Sequence, residues 1–213
     1  MSGHVLVARM DNEGDVQLAG PAIRAVATGA GRVTLLCGPR GAGAARLLPG
    51  VDAVLVHRAE WIDPEPGPFS PLPTTRLLHA LGRLRPPLEE AIVLTSFHQS
   101  PLPLALLLRL AGVPRIGATS ADYPGALLDV RHRIGDDVHE VRRALSLARA
   151  MGYPSPPGDD GRLRIARPAA GDPGVRPFPA GVRYVVVHPG ASAPARAWAP
   201  ARPAALVAAM AAR

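Results

Sequence analysis

The chain contains no lysine, so all 24 of its basic side chains are arginine. That absence excludes a phosphate-binding P-loop, which requires a lysine followed by Ser or Thr. The glycine-rich stretch Gly38-Pro39-Arg40-Gly41-Ala42-Gly43 also lacks the glycine spacing of a dinucleotide fingerprint, so a turn is its expected role. Cysteine is nearly as scarce. Cys37 stands alone, which rules out a disulfide within the chain and makes a cysteine-based metal site implausible; inside the apolar run Val33–Cys37 it reads as core packing. Long apolar runs are missing as well. The longest, Leu102–Val113, is interrupted by Arg109 and falls short of the roughly 20 residues that cross a bilayer. The N-terminal run Val5–Ala8 is too short for a signal peptide. Together these features predict a cytoplasmic protein, with peripheral contact at a membrane surface open to a chain this basic and apolar.

What is present begins with size. At 213 residues and 47% hydrophobic side chains, the chain can bury one good core, or a core and the beginning of another. Its net charge of +7 would ordinarily suggest a polyanionic partner. The arginines, however, gather into no run and accompany abundant Ala, Pro and Gly, so a solvated surface is expected rather than a nucleic-acid interface.

Short Val-, Leu- and Ile-rich runs alternate with helical segments, the pattern of a parallel sheet with crossover helices. Strands are expected at Val5–Arg9, Val33–Cys37, Ala53–His57, Ala91–Thr95 and Arg115–Gly117. Helices are expected at Val16–Thr28, Gly41–Leu48, Thr74–Leu84, Pro101–Leu110 and Val138–Met151. The five prolines of the stretch Asp63–Pro73 mark a loop. The predicted division is a Rossmann-like lobe over 1–152, a Pro- and Gly-rich linker over 153–181, and the opening of a second lobe over 182–213. In that last part Tyr184–His188 reads as a buried strand and Pro200–Arg213 as an Ala-rich helix. One strand and one helix cannot bury a core, so a truncated second lobe is the expectation.

Three segments carry chemistry. Asp11-Asn12-Glu13-Gly14-Asp15 follows the first strand, at the carboxyl edge where open α/β sheets bind ligands. On position alone Asp15 is a helix cap. The alternating acids imitate a calcium loop but lack its glycine and distal glutamate. His98 and Gln99 follow the strand Ala91–Thr95 and are candidates for touching a substrate, with Arg131 a further one. Finally, His188-Pro189-Gly190-Ala191-Ser192 with Arg196 and Trp198 follows the predicted strand at Tyr184–His188. Gly190, Ala191 and Ser192 allow close backbone approach to a ligand, and Arg196 carries donors suited to phosphate oxygens, although His188 and Trp198 read as strand end and packing.

In this order, the blocks Val5–Asp15 with Pro21, then Ser96–Ser100, Ala111-Gly112-Val113, Tyr123-Pro124-Gly125 and His139-Glu140-Val141, then His188–Ser192 with Arg196 and Trp198, resemble glycosyltransferase family 9, the heptosyltransferases that use ADP-heptose. The resemblance implies a two-lobed GT-B fold, with an acceptor lobe first and a nucleotide-sugar lobe second. It implies inverting, metal-independent transfer of a heptose or related sugar to a lipid-linked or glycan acceptor, without a cofactor. By this similarity Asp15 stands at the general base, which outranks the cap reading, with Asn12, Gly14, His98, Gln99 and Arg131 on the acceptor side. Gly190, Ala191, Ser192 and Arg196 would meet the donor phosphates, Arg196 standing where the family usually has lysine. Glu13 and Gln17 occupy positions that are usually apolar in the family. The family's later donor-binding motifs have no counterpart before Arg213, so the chain alone is expected to be inactive. The competing expectation is a non-catalytic glycan- or protein-binding module derived from such a lobe.

Overall fold

The computed structural model describes residues 3–63, 68, 70–96, 98–135, 137–166, 181–191 and 197–211. It divides into two compact units, 1–167 and 168–213. In the first, six parallel strands lie in the order β3-β2-β1-β4-β5-β6: β1 (His4–Arg9), β2 (Arg32–Cys37), β3 (Ala53–Val56), β4 (Leu88–Leu94), β5 (Arg115–Thr119) and β6 (Val130–His132). This is the doubly wound order, which reverses between β1 and β4. Both faces are covered. Val5 and Val7 of β1 enter one core with Leu35, Cys37 and Ile92, while Leu6 and Ala8 enter the other with Leu36, Ala91 and Val93. The period-2 alternation of strand side chains therefore feeds two apolar cores. Cys37 is fully buried as expected, and burial pushes its thiol up to about 11 against the smaller opposing pull of Arg46.

The helix expected at Val16–Thr28 is two helices, α1 (Glu13–Leu18) and α2 (Gly20–Gly29). Pro21 has no N–H to continue the ladder, and the chain turns at Ala19. Helix α1 starts earlier than predicted, so Asp15 is inside its first turn. The N-cap is Asn12, whose side chain caps nothing. The Gly41–Leu48 segment holds a single 3-10 turn at Pro39–Gly41 and the short α3 (Ala42–Ala45). Helix α4 (Pro71–Gly82) also begins earlier than expected: Pro71 and Pro73 lie in the first turn, where no intrahelical N–H is needed, and the Ser70 hydroxyl accepts from the Leu72 amide. Helix α5 (Leu102–Leu110) packs beside α4 over the Leu6–Ala8 core, and α6 (Glu140–Ala150) packs on α2 over the other. Strand β6 was not expected. It has three half-buried residues, two of them Arg and His, too few for a period-2 pattern to register.

The predicted linker is divided. Residues 153–166 belong to the first unit: Tyr153 is buried against Gly29, and Asp159 holds Arg24 through Nε and Nη2 at 2.7 and 2.8 Å. Most of the remainder, 167–180, lies outside the described residues. In the second unit the expected strand at Tyr184–His188 is not part of a strand among the described residues, and Tyr184, Val185 and Val186 are exposed. No strand is found among the described residues of this unit, and extended backbone outside a ladder collects no sheet hydrogen bonds. The Ala-rich helix is present as α7 (Ala201–Ala211).

Candidate functional site

At the point where the strand order reverses, β1 ends on Arg9, a buried cation. Three carboxylates surround it: Asp11 lies 2.8 Å from Nε, Asp15 3.2 Å from Nη2, and Glu140 of α6 3.2 Å from Nη1. The same Nη2 donates to the Ser96 hydroxyl at 3.0 Å. Ser96 in turn stands 3.4 Å from Asp11, and the Gln99 amide nitrogen donates to Asp11. A buried charge is tolerable only when paired, and carboxylates face all three nitrogens of this guanidinium, Nη1 and Nη2 as hydrogen-bond donors and Nε as an ion pair without a hydrogen bond. Asp11 is buried along with it, whereas the Asp15 side chain keeps 30% of its surface exposed. Of the acids around Arg9, Asp11 is locked in place, while Asp15 keeps one oriented oxygen bound and part of its carboxylate open to solvent.

The glycine-rich stretch after β2 shapes this corner without binding phosphate. A Cβ on Gly38 would stand 2.4 Å from the Met10 carbonyl oxygen, and one on Gly41 would stand 2.5 Å from Val16 Cγ2. These glycines let the two loops touch, which fixes the path of the chain from Met10 into α1.

Beside the cluster, above the carboxyl ends of β4, β5 and β6, opens a cavity of about 480 Å³ lined by Thr95, Ser96, His98, Gln99, Thr119, Ser120, Asp122, His132, Arg133 and Arg143 among others. Hydroxyls from two strand ends line it, Thr95 and Ser96 after β4 and Thr119 and Ser120 at the end of β5. Arg143 is buried, and its Nε makes no hydrogen bond, lying 3.7 Å from Glu140. Burial and the nearby Arg143 both hold the His132 imidazole below its usual pKa, and its Nε2 lies 2.7 Å from the Ser146 hydroxyl. Ser96 is the shared element: it lines the cavity and binds the guanidinium that holds Asp15.

No family model matches the chain, and no curated protein does. Solved structures do. Heptosyltransferase II of E. coli superposes with a TM-score of 0.53 at 18% identity, over 73% of this chain and 41% of its own. A family 9 glycosyl transferase from Veillonella parvula gives 0.56 at 13%, over 76% and 43%. The E. coli heptosyltransferase WaaC with ADP gives 0.54 at 17%, over 72% and 49%. The fold is heptosyltransferase-like. The chain spans about half the length of these GT-B type glycosyltransferases, or somewhat less.

Within this heptosyltransferase-like fold the sequence-predicted residues fall into three groups. Asp15 and Gln99 join the cluster at the switch point through Arg9 and Asp11, His98 lines the cavity beside it, and Asn12 and Gly14 are exposed on the same loop and helix as Asp15. Arg131 does not join them: its guanidinium donates to the Ser120 and Ala121 carbonyls, holding the loop after β5 in place. Gly190 and Ala191 are exposed in the second unit, and Ser192 and Arg196 lie outside the described residues. Sequence reasoning assigned no role to Arg9, Asp11, Ser96, Glu140 or Arg143. A signal existed for the first, an arginine closing an otherwise apolar strand. Among the described residues, no group of three His, Cys, Asp or Glu side chains is placed to hold a metal ion.

Proposed function

We propose that the first unit is the acceptor-binding lobe of an inverting glycosyltransferase that moves a heptose or related sugar from a nucleotide-sugar donor, with Asp15 as general base. The supporting observation is the Arg9 cluster, which orients one Asp15 oxygen at the switch point and leaves the carboxylate partly open beside a polar cavity. A base there would take the proton of an acceptor hydroxyl as it attacks the anomeric carbon. His98 and Gln99 would meet the acceptor, with Ser96 between cavity and base; Asn12 and Gly14 would border it. Arg131 would act indirectly, by holding the cavity rim. Gly190, Ala191, Ser192 and Arg196 would meet the donor diphosphate, which in WaaC is supplied by ADP or an ADP-sugar. The acceptor that suits this reading is a lipid-linked glycan at the cytoplasmic face of a membrane, and the chemistry requires no cofactor or metal.

The test joins this chain to a complete family 9 donor lobe and supplies ADP-heptose with a lipid-linked glycan. Asp15→Asn is expected to lower kcat by about 10²- to 10⁴-fold, the usual worth of a general base, with little change in acceptor KM. An Asp15→Asn enzyme that keeps its kcat would remove the base role from Asp15, and a parent chimera that binds the glycan but transfers no sugar would leave a glycan-binding module.

A further inference from the structure

Helices α4 and α5 lie side by side on one face of the sheet, with Leu77, Leu81, Leu104 and Leu108 turned into the core beneath them. Their opposite stripes therefore look outward in the same direction. On α4 that stripe runs Leu72, Thr75, Arg76, His79 and Arg83, all exposed at helical spacing. On α5 it includes Leu106 and Leu110, one turn apart and 47% and 66% exposed, while Leu72 is 55% exposed. Leucines this open and one turn apart, as Leu106 and Leu110 are, mark a surface for interaction more often than isolated ones do.

The charge around them has one sign. Neither 70–88 nor 98–121 contains an acidic residue, whereas the two stretches carry Arg76, Arg83, Arg85, Arg109 and Arg115. Of the acids that flank these stretches, Glu60 accepts from the Ser70 amide, Asp129 pairs with Arg109, and Glu90 pairs with Arg115. Arg76 and Arg83 are exposed about two turns apart, in the second turn of α4 and at its C-cap. Outward leucines interleaved with unneutralised arginines suit a flat, anionic, apolar-cored partner better than a protein groove. No helix among the described residues is long and apolar enough to cross a membrane, so insertion would be shallow. Helix α5 also starts at Pro101, which lines the polar cavity, so the face runs away from the cavity mouth.

We infer that the outer face of α4 and α5 is a docking surface for an anionic lipid bilayer, with Leu72, Leu106 and Leu110 entering the headgroup boundary and Arg76 and Arg83 meeting lipid phosphates. The binding asks nothing of Asp15 and stands apart from the transfer chemistry.

The test is co-sedimentation of the 213-residue chain with vesicles of phosphatidylglycerol mixed into phosphatidylcholine, against pure phosphatidylcholine. The chain is expected to partition onto the mixed vesicles and weakly or not at all onto the neutral ones. The exposed pairs Leu106→Glu with Leu110→Glu, and Arg76→Glu with Arg83→Glu, should each lower the partition coefficient by about tenfold or more, while circular dichroism stays that of the parent. Asp15→Asn should bind as the parent does, which separates this surface from the proposed base. A Leu110→Trp variant should show a blue-shifted emission on mixed vesicles. No binding to anionic vesicles, parental partition by either charged pair, or an unshifted Leu110→Trp would overturn the assignment.

Discussion

Two segments of this chain are written alike and end differently. Val5-Leu6-Val7-Ala8-Arg9 and Tyr184-Val185-Val186-Val187-His188 are both short apolar runs closed by a basic residue and followed by a loop and a helix. The first is a central strand, flanked by β2 and β4 and buried along its whole length. The second is not part of a strand among the described residues and leaves Val185 and Val186 exposed. Local composition makes a segment competent to be a strand, but its neighbours decide whether the hydrogen-bonding and burial are collected.

That contrast has measurable consequences. The largest is in the sheet: Leu35→Ala, in a fully buried side chain, should destabilise the first unit by about 2–5 kcal/mol in a denaturant titration. A loss below about 1 kcal/mol would mean that the core is looser than its burial indicates. Next is the strap over 153–166. The Arg24 hydrogen bonds, with help from the Gly161 amide and against a burial cost, lower the Asp159 carboxyl to about 2. A pKa below that of the unfolded chain contributes stability that is complete above about pH 4 and is lost as pH falls through about 2. The Gly161 amide, which donates to Asp159 at 2.8 Å, should therefore titrate by NMR with a midpoint near 2, and Arg24→Gln should raise that midpoint. A parent midpoint at the ordinary aspartate value would detach the strap. The smallest effect belongs to the second unit, where Val186→Ala should change stability by no more than about 0.5 kcal/mol because the side chain is already in solvent.

The same contrast explains what was legible in the sequence. Strands β1 to β5 were readable because each carries an apolar run, and the edge β6 was not. The break between α1 and α2 was written in Gly20-Pro21 but was overridden by apolar spacing that continued across it. His98 and Gln99 were readable from their place after β4. The cluster that orients Asp15 was not, because Arg9 meets Ser96 and Glu140 from 87 and 131 residues away, and no local pattern encodes such a meeting. Arg131 is hard to read for a related reason: an arginine near a strand end can serve a ligand or its own loop, and here it donates to the carbonyls of Ser120 and Ala121.

The proposed chemistry rests on Arg9 acting through Asp15, and a double-mutant cycle on kcat reads that connection directly. In the chimera carrying a donor lobe, Arg9→Met should slow transfer when Asp15 is present and cost little more once Asp15→Asn has been made, because both changes disable one device. If the two losses simply multiply, with Arg9→Met as damaging in the Asp15→Asn background as in the parent, the guanidinium does not position that carboxylate and the proposed site is wrong.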